Sequence, residues 1–323
     1  MLTRRLTLAA SATLLTRVAQ ADPSMHWTIA TEYPTNAMPG EGIAVFAAAA
    51  SNEILTVHPR FDAPGGLRSA AMPQAVRDGT VMAGDSFAAT LAPLDPIFQL
   101  SGLPFLTGSP ADAARLLALA RSTYDASLAA QGLTLLYATP WPPSGLWSRD
   151  AVADDIAALQ GLRIRTYDAA STRVFAAAGA QPQQISFADA LPLLRSGLLD
   201  AVLSSGDGGA GARLWETLPH FTALDYAVPL SLAFCSASAM AALPAETADH
   251  VRHAAEATQT RQFAAMATRI LENELRMRQH DVQLATAPAL RSALQSHAAP
   301  VVATWAETAG QAAQAILARY RAG

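Results

Sequence analysis

Residues 162–204 read LRIRTYDAASTRVFAAAGAQPQQISFADALPLLRSGLLDAVLS. Short runs rich in branched apolar residues alternate in this stretch with runs of helical length. The pattern predicts a strand, a helix, a strand, a helix and a strand, at residues 162–166, 169–178, 185, 188–196 and 201–204. Such an alternation is typical of α/β proteins, in which helices cover a largely parallel sheet.

The rest of the chain continues the same alternation. Strands are predicted at residues 27–31, 55–61 and 133–138, and helices at 43–54 and 111–131. A further helical pattern at residues 247–280 spans about nine turns. A helix of that length is a candidate bridge between two lobes, and the absence of a linker in the sequence indicates that such lobes are interwoven.

The composition excludes several classes of enzyme. All 22 basic residues are arginines, because the chain contains no lysine. A Schiff-base lysine, a P-loop lysine and a lysine base are therefore excluded. The formal net charge is −4, and it becomes −7 without the first 21 residues, which hold three arginines and no acid. An acidic chain argues against a nucleic-acid partner.

Residues 1–21 have the three regions of a secretory signal peptide. Arg4 and Arg5 give a charged start, an apolar stretch follows, and the segment ends on Ala19-Gln20-Ala21. We expect cleavage after Ala21 and export to the periplasm, with an amphipathic N-terminal helix as the alternative. The longest apolar run, at residues 227–243, is short for a membrane span and holds a proline and serines, so no direct membrane insertion is expected.

Two motifs offer enzymatic alternatives. Residues 206–211, GDGGAG, match the G-x-G-x-x-G spacing of dinucleotide-binding loops, but Pro219 would stop the following helix after two turns, so we prefer a flexible loop. The block Gly84-Asp85-Ser86 is similar to the serine block of some esterases, and a secreted serine hydrolase using Ser86 stays open as an alternative function. No base or oxyanion hole is evident beside it, and we predict no enzyme activity, no cofactor and no metal.

Arg165 is a candidate binding residue because it ends the predicted strand at residues 162–166. Alternation places Arg163 and Arg165 on one face of that strand and Ile164 on the other, so one arginine can point into a cleft. A guanidinium binds a carboxylate through two parallel charged hydrogen bonds. A structural ion pair with Asp168 is the alternative, and spacing alone leaves both open.

Four short segments resemble one family of proteins. They are LQGLRIR at 159–165, GAQP at 179–182, SFADAL at 186–191 and SGLLDA at 196–201. They look like segments of the substrate-binding proteins of tripartite ATP-independent periplasmic (TRAP) transporters. The resemblance covers essentially the whole mature chain, and LPFL at 103–106 also sits where that family has similar residues.

The resemblance implies an α/β receptor with two interwoven lobes that close like a flytrap on a small organic acid. It implies delivery of the acid to the membrane permease subunits of a TRAP transporter, with a receptor of another binding-protein transport system as the alternative. Lobe I is expected to comprise residues 22–142 and 231–270, and lobe II residues 143–230 and 271–323, with the long helix as the bridge.

The resemblance also implies three ligand-binding residues. Arg165 falls on the family arginine that binds the ligand carboxylate, Phe187 on a common pocket aromatic, and Ser204 where the sialic-acid-binding branch has an asparagine. That branch carries a second arginine upstream of the first, and the match places Gly145 there. A single carboxylate anchor is therefore expected, and we predict a monocarboxylate, such as an aromatic or 2-oxo acid.

Further candidates would complete the pocket, with core packing as the alternative for each aromatic. Apolar walls are expected from the aromatic residues Trp141, Trp147, Phe187 and Tyr226. Polar groups that follow strand candidates in lobe I are expected to face the cleft: Glu32, Tyr33, Asp85 and Ser86. A dicarboxylate ligand would require Arg68 or Arg163 to replace the missing arginine.

Overall fold

The computed structural model describes residues 25–323, and the predicted signal peptide with its cleavage site lies outside them. The strands are β1 (Met25–Ala30), β2 (Leu55–Arg60), β3 (Ala83–Phe87), β4 (Leu133–Pro140), β5 (Ser144–Ser148), β6 (Arg163–Thr166), β7 (Gln181–Gln184), β8 (Ala201–Ser205), β9 (His220–Ala223), β10 (Leu230–Ser236) and β11 (Gln283–Thr286). The α-helices are α1 (Met38–Ala50), α2 (Met72–Arg77), α3 (Pro110–Ala129), α4 (Ala169–Ala177), α5 (Phe187–Arg195), α6 (Gly206–Gly211), α7 (Ala237–Ala241), α8 (Ala245–Gln279), α9 (Pro288–Thr308) and α10 (Gly310–Arg321). Short 3-10 helices lie at Pro64–Gly66, Ser69–Ala71, Ala88–Leu91, Pro96–Gly102, Ile156–Leu159 and Leu214–Glu216.

The strands form two separate sheets. The first sheet has the order β2-β1-β3-β10-β4, and the second has the order β11-β9-β5-β8-β6-β7. Within them β1 is parallel to β2 and β3, and β6 is parallel to β7 and β8, whereas β10 is antiparallel to β3 and β4. The order of elements predicted at residues 162–204 is observed as β6, α4, β7, α5 and β8, although β7 lies at Gln181–Gln184 and not at the predicted residue 185. The predicted two-lobed α/β fold is therefore confirmed.

The chain crosses between the sheets, so each lobe is built from separated segments. It leaves the first sheet after β4, returns to it at β10, and continues into the long helix α8. With 35 residues, α8 is about 52 Å long. Its N-terminal part packs with α1 against the first sheet, and Met277 near its C-terminus packs with the second. No helix of residues 25–323 is long and apolar enough to cross a membrane.

The last two helices lead back to the first sheet, and Trp305 near the end of α9 already packs in the core beside that sheet. Helix α9 packs on α4, whereas α10 packs on α3. Arg115 of α3 donates from Nη1 to the Tyr320 carbonyl at 2.7 Å, and its Cζ lies 4.0 Å from the centroid of the Tyr320 ring. Residues 310–321 thus lie with the first sheet, although the sequence division assigns residues 271–323 to lobe II. The apolar face of α10 joins the core of the first lobe, which local sequence does not reveal.

Side-chain caps begin three helices that surround the space between the sheets. Asp168 caps α4, Ser186 caps α5 and Ser205 caps α6, and each side chain accepts a hydrogen bond from a backbone N–H of the first turn. Each such cap contributes about 1 kcal/mol to stability. Asp168 follows the end of β6 by two residues and Ser205 is the last residue of β8, so these two caps also fix the direction in which the chain leaves the strands.

Residues 206–211 form helix α6 and not the flexible loop that the sequence predicts. Glycine has a low helix propensity, so tertiary contacts must maintain this helix. Asp207 is fully buried, and its Oδ2 accepts a hydrogen bond from Met38 N at the start of α1, at 2.7 Å. A Cβ on Gly209 would lie 2.2 Å from the ring of Trp147, so the close approach of α6 to β5 requires glycine there.

Candidate ligand-binding site

A cavity of about 550 Å³ lies between the two sheets. The turns that follow β1, β3 and β4 bound it on the side of the first sheet, and β6, β8 and α6 bound it on the side of the second. The lining residues with functional side chains include Glu32, Tyr33, Arg68, Trp141, Arg165, Tyr167, Phe187 and Ser204. The volume lies within the range of about 300–1,000 Å³ that is usual for small-molecule sites.

Arg165 presents a buried cation to this cavity. Its Nε donates to the Ile185 carbonyl at 2.9 Å and its Nη1 to the Leu203 carbonyl at 3.2 Å, which leaves Nη2 without a partner among residues 25–323. The side chain lies between two rings, with Cζ 5.5 Å from the centroid of Phe187 and 6.0 Å from that of Tyr167. The two carbonyls orient the guanidinium but do not neutralise its charge.

The structure decides against a structural ion pair between Arg165 and Asp168. In the described part of the chain, no carboxylate lies within 4.0 Å of the Arg165 guanidinium, and Asp168 instead accepts a hydrogen bond from Ser171 N at 2.7 Å. Burial lowers the pKa of Arg165, and the neighbouring phenol of Tyr33 and carboxylate of Glu32 oppose that effect. An arginine stays protonated in proteins, so the cavity keeps a positive charge.

Arg163 differs from Arg165 although both lie on β6. Its Nε and Nη2 donate to the two carboxylate oxygens of Asp200 at 2.7 and 2.5 Å, and it does not line the cavity. The alternation of the strand gives both arginines one face, but Arg163 begins the strand and so lies about 7 Å farther from the cavity end. This arginine is therefore not a second carboxylate anchor.

Aromatic rings form much of the cavity wall. Trp141 lines the cavity and is fixed by a hydrogen bond from its Nε1 to Ser231 Oγ at 3.1 Å. Its ring meets that of Tyr33 edge to face, with centroids 4.8 Å apart. Phe87 and Tyr167 pack together on another part of the wall, with centroids 5.2 Å apart. These rings offer flat apolar surfaces beside the Arg165 guanidinium.

The first lobe contributes charged groups to the cavity. Glu32 is buried, and its Oε2 accepts a hydrogen bond from Ser69 N at 2.5 Å. Arg68 donates from Nε and Nη2 to Asp189 Oδ1, at 3.3 and 3.0 Å, and so joins the segment before α2 to helix α5. Both members of this ion pair are partly exposed. The pair connects the two lobes directly.

Two of the predicted wall residues, Trp147 and Tyr226, lie behind the cavity. Trp147 is fully buried, donates from Nε1 to the Ser205 carbonyl at 3.2 Å and packs on Phe221 with centroids 5.1 Å apart. Tyr226 is also fully buried, and its ring packs on Phe105 at 5.0 Å. Both support the wall from the core and do not line the cavity.

Asp85 and Ser86 also lie beneath the cavity surface. Asp85 Oδ1 accepts a hydrogen bond from the Thr31 hydroxyl at 3.0 Å, and burial raises the pKa of Asp85 to about 8. The Ser86 hydroxyl is fully buried and donates to the Ser69 carbonyl at 2.8 Å. A serine in this position does not present its hydroxyl to a substrate in the cavity, so the geometry gives no support to the hydrolase alternative.

Gly145 marks the place where the resembling branch has its second arginine. A Cβ at this position would lie 2.5 Å from the ring of Phe221 and 2.5 Å from the Thr222 carbonyl oxygen. The space for a side chain is therefore already filled by the neighbouring strand β9. The absence of a second arginine here is consistent with the packing of the sheet.

The sequence reasoning missed Tyr167, Phe87 and Ser144 as lining residues. Tyr167 follows Arg165 by two positions, so strand alternation could have placed it on the same face. Phe87 is the last residue of β3, and Arg165 is the last residue but one of β6. Ligands of α/β proteins bind beside such strand ends, so the position of Phe87 is itself a signal. No signal in the sequence distinguishes Ser144 from other strand serines.

The fold and the cavity together define a class: two-lobed α/β solute-binding proteins, here with a buried arginine in the cavity between the lobes. Residues 65–308 match the family DctP, described as bacterial extracellular solute-binding protein, family 7. The match covers most of the chain, which therefore belongs to this family of TRAP transporter receptors. The resemblance seen in the sequence is confirmed. The family is periplasmic, and its members are solute receptors for small organic acids that work with TRAP membrane permeases.

The chain is similar to several solved receptors. It is 25% identical to DctP7 of Bordetella pertussis, an extracytoplasmic solute receptor binding pyroglutamic acid, with a TM-score of 0.87 over 92% of this chain and 99% of that one. It is 26% identical to a marine metagenome TRAP solute-binding protein specific for pyroglutamate, with a TM-score of 0.87 over 93% and 100%.

A more distant receptor shows the fold alone. This is a TRAP periplasmic solute-binding protein of Chromohalobacter salexigens with bound D-glucuronate, which is 15% identical, with a TM-score of 0.84 over 91% of this chain and 98% of that one. No curated protein matches the chain significantly. The two-lobed fold is therefore shared even with a receptor that is only 15% identical in sequence.

Proposed function

We propose that this chain is a periplasmic receptor that binds a small monocarboxylic acid through Arg165 and delivers it to a TRAP permease. The observation that carries the proposal is the charge of Arg165, which is buried at the cavity and oriented by two carbonyls, with no carboxylate within 4.0 Å among residues 25–323. A ligand carboxylate that reaches Nη2 would supply the missing negative charge through a charged hydrogen bond.

The choice of one carboxylate over two rests on the lack of a second unpaired cation in the cavity lining formed by residues 25–323. Arg68 lines the cavity but already donates two hydrogen bonds to Asp189, Arg163 is paired with Asp200, and position 145 has no room for a side chain. Pyroglutamate is the first candidate, because it has a single carboxylate and is the ligand of both receptors that are 25% and 26% identical. Its flat ring suits the surfaces of Trp141 and Phe187.

Lobe closure would couple binding to delivery. The ion pair of Arg68 with Asp189 joins the lobes at 3.0 Å, and such a pair forms only when the lobes are together. Closure excludes water from the Arg165 site and strengthens its interaction with a carboxylate. The ligand therefore favours the closed form, which would be the form that the permease recognises. We also propose export by the signal peptide, with cleavage after Ala21.

A ligand panel tests this proposal. The chain starting at Asp22 is screened by thermal shift against pyroglutamate, 2-oxo acids, aromatic acids, dicarboxylates and sugar acids, and hits are measured by calorimetry. A ligand that binds only the native state raises Tm, so we expect a rise with at least one monocarboxylate. A rise with dicarboxylates alone, or with no acid at all, would contradict the proposal.

A further inference from the structure

The side chain of Glu32 introduces a negative charge into the cavity that is proposed to bind a carboxylate. Glu32 follows β1, is 7% exposed and lines the cavity from the side of the first sheet. Its Oε2 is held by the backbone N–H of Ser69 at 2.5 Å. Its Oε1 has no hydrogen-bond donor in the described part of the chain, and no cation lies within 4.0 Å of the carboxylate.

The two cations of the cavity do not satisfy this carboxylate. Arg68 donates to Asp189, and Arg165 donates to two backbone carbonyls. The carboxylate of Glu32 is near enough to raise the pKa of Arg165, yet the two groups do not form an ion pair. The cavity therefore has a positive group on one wall and a negative group on the other, with space between them.

The chemistry of the two groups restricts what fits between them. An ionised carboxylate that is removed from water is destabilising unless a donor reaches it. A second carboxylate on the ligand would be repelled by Glu32, and an ether or ester oxygen would leave Oε1 unsatisfied. An N–H group on the ligand, by contrast, could donate to Oε1 while the ligand carboxylate binds Arg165.

We infer that Glu32 determines specificity by accepting a hydrogen bond from an N–H group of the monocarboxylate ligand. The ligand class is therefore small monocarboxylic acids that carry an N–H donor in addition to the carboxylate, either a neutral lactam or a protonated amine. This inference rests on the proposed function, since it requires that a carboxylate occupy the Arg165 site.

Matched ligand pairs test the inference without altering the protein. Pyroglutamate is compared with 5-oxotetrahydrofuran-2-carboxylate, in which a ring oxygen replaces the lactam N–H. Proline is compared with tetrahydrofuran-2-carboxylate, in which an oxygen replaces the ammonium. Calorimetry on the wild-type chain is expected to give at least about tenfold tighter binding for the N–H member of one pair. The pair that shows the preference tells whether the N–H donor of the ligand is a lactam or a protonated amine.

The variant Glu32→Gln tests the role of this side chain. Its amide oxygen can still accept from Ser69 N, while its NH₂ group now faces the cavity as a donor. We expect the preference for the N–H ligand to shrink to about threefold or less or to reverse, with an unchanged Tm in the absence of ligand. The oxygen analogue should bind the variant at least as tightly as it binds the wild type.

The outcomes separate the two proposals. Equal affinities within both pairs, or a ligand preference that Glu32→Gln leaves unchanged, would overturn the role of Glu32 while carboxylate binding at Arg165 stands. If none of the four acids nor any acid of the ligand panel binds, the proposed function and this inference both fail. If the acids that bind all lack an N–H group, the receptor function stands and the inference fails.

Discussion

The two walls of the cavity carry opposite charges, and each charge is held by the backbone. On the wall of the second sheet, two carbonyls orient the guanidinium of Arg165, and on the wall of the first sheet, the N–H of Ser69 holds the carboxylate of Glu32. At Arg163 and Asp200, by contrast, a cation and an anion neutralise each other. A backbone dipole can position a charge without cancelling it, so both charges at the cavity remain available to a ligand.

The largest expected effect comes from removing the charge of Arg165 on the wall of the second sheet. Arg165→Ala should weaken binding of the monocarboxylate by about 100-fold, because truncating one partner of a buried charged pair costs several kcal/mol. Arg163→Ala removes the same side chain from the same strand and is the control. It should leave affinity unchanged and alter stability little, since its ion pair with Asp200 is partly exposed.

Calorimetry with both variants measures this difference. Equal losses in the two variants would mean that β6, and not the guanidinium of Arg165, carries the effect. Unchanged affinity in Arg165→Ala would remove the assigned role of this residue altogether.

The close packing of α6 against β5 in the second lobe can be disrupted at Gly209. In Gly209→Ala the new Cβ would lie 2.2 Å from the buried Trp147 ring, so we expect a loss of stability of about 1–3 kcal/mol. Gly211→Ala in the same helix is the control, because its Cβ meets nothing closer than 3.4 Å. The control should be neutral or stabilising by up to about 1 kcal/mol. Chemical denaturation measures both, and an equal response of the two variants would show that α6 tolerates side chains throughout.

The buried carboxyl group of Asp85, beneath the cavity wall of the first sheet, should make stability depend on pH. Burial raises the pKa of Asp85 to about 8 from its usual 3.8, so the folded state holds a proton that the unfolded state releases between these values. This contribution to the free energy of unfolding is fully present below pH 3.8 and is lost as pH rises towards 8, by up to about 1.4 kcal/mol per pH unit. Asp85→Asn should flatten the decline measured from pH 5 to 8, and an unaltered slope would assign the decline to other groups.

The smallest expected effect concerns the ion pair of Arg68 with Asp189, which connects the two lobes. Asp189→Ala removes the partner of Arg68, and because both side chains are partly exposed, affinity should fall only by about two- to fivefold. The wild-type affinity should also weaken with added salt more than that of the variant, because salt screens exposed pairs. Titration at two salt concentrations measures this, and identical salt responses would show that the pair does not contribute to closure.

Much of the cavity could be predicted from sequence, because strand ends have a local signal. The position of Arg165 in LRIR and the family resemblance both predict a binding residue, and Arg165 lines the cavity together with the predicted Glu32, Trp141, Phe187 and Ser204. Trp147 and Tyr226 are equally aromatic, but their burial depends on contacts with Phe221 and Phe105 that are distant in sequence. Spacing cannot separate a wall residue from the core residue that supports it.

The fold shows the same limit. The strands and helices from β6 to β8 follow from local periodicity, as do the long helix α8 and its role as a bridge. The helix at residues 206–211 does not, because its glycines disfavour a helix and its stability depends on Asp207 contacting Met38 in the other lobe. The return of α10 to the first sheet likewise depends on tertiary contacts with α3.

The filled space beside Gly145 has a consequence for how receptors of this family can diverge. A change from glycine to arginine at this position meets both the ring of Phe221 and the carbonyl of Thr222, so it damages the sheet before it offers a second anchor. A smaller residue at position 221 removes only one of these obstacles, and it leaves a void in the meantime. A lineage starting from this chain is therefore expected to pass through less stable intermediates if it acquires an arginine at position 145, which constrains the order of its substitutions.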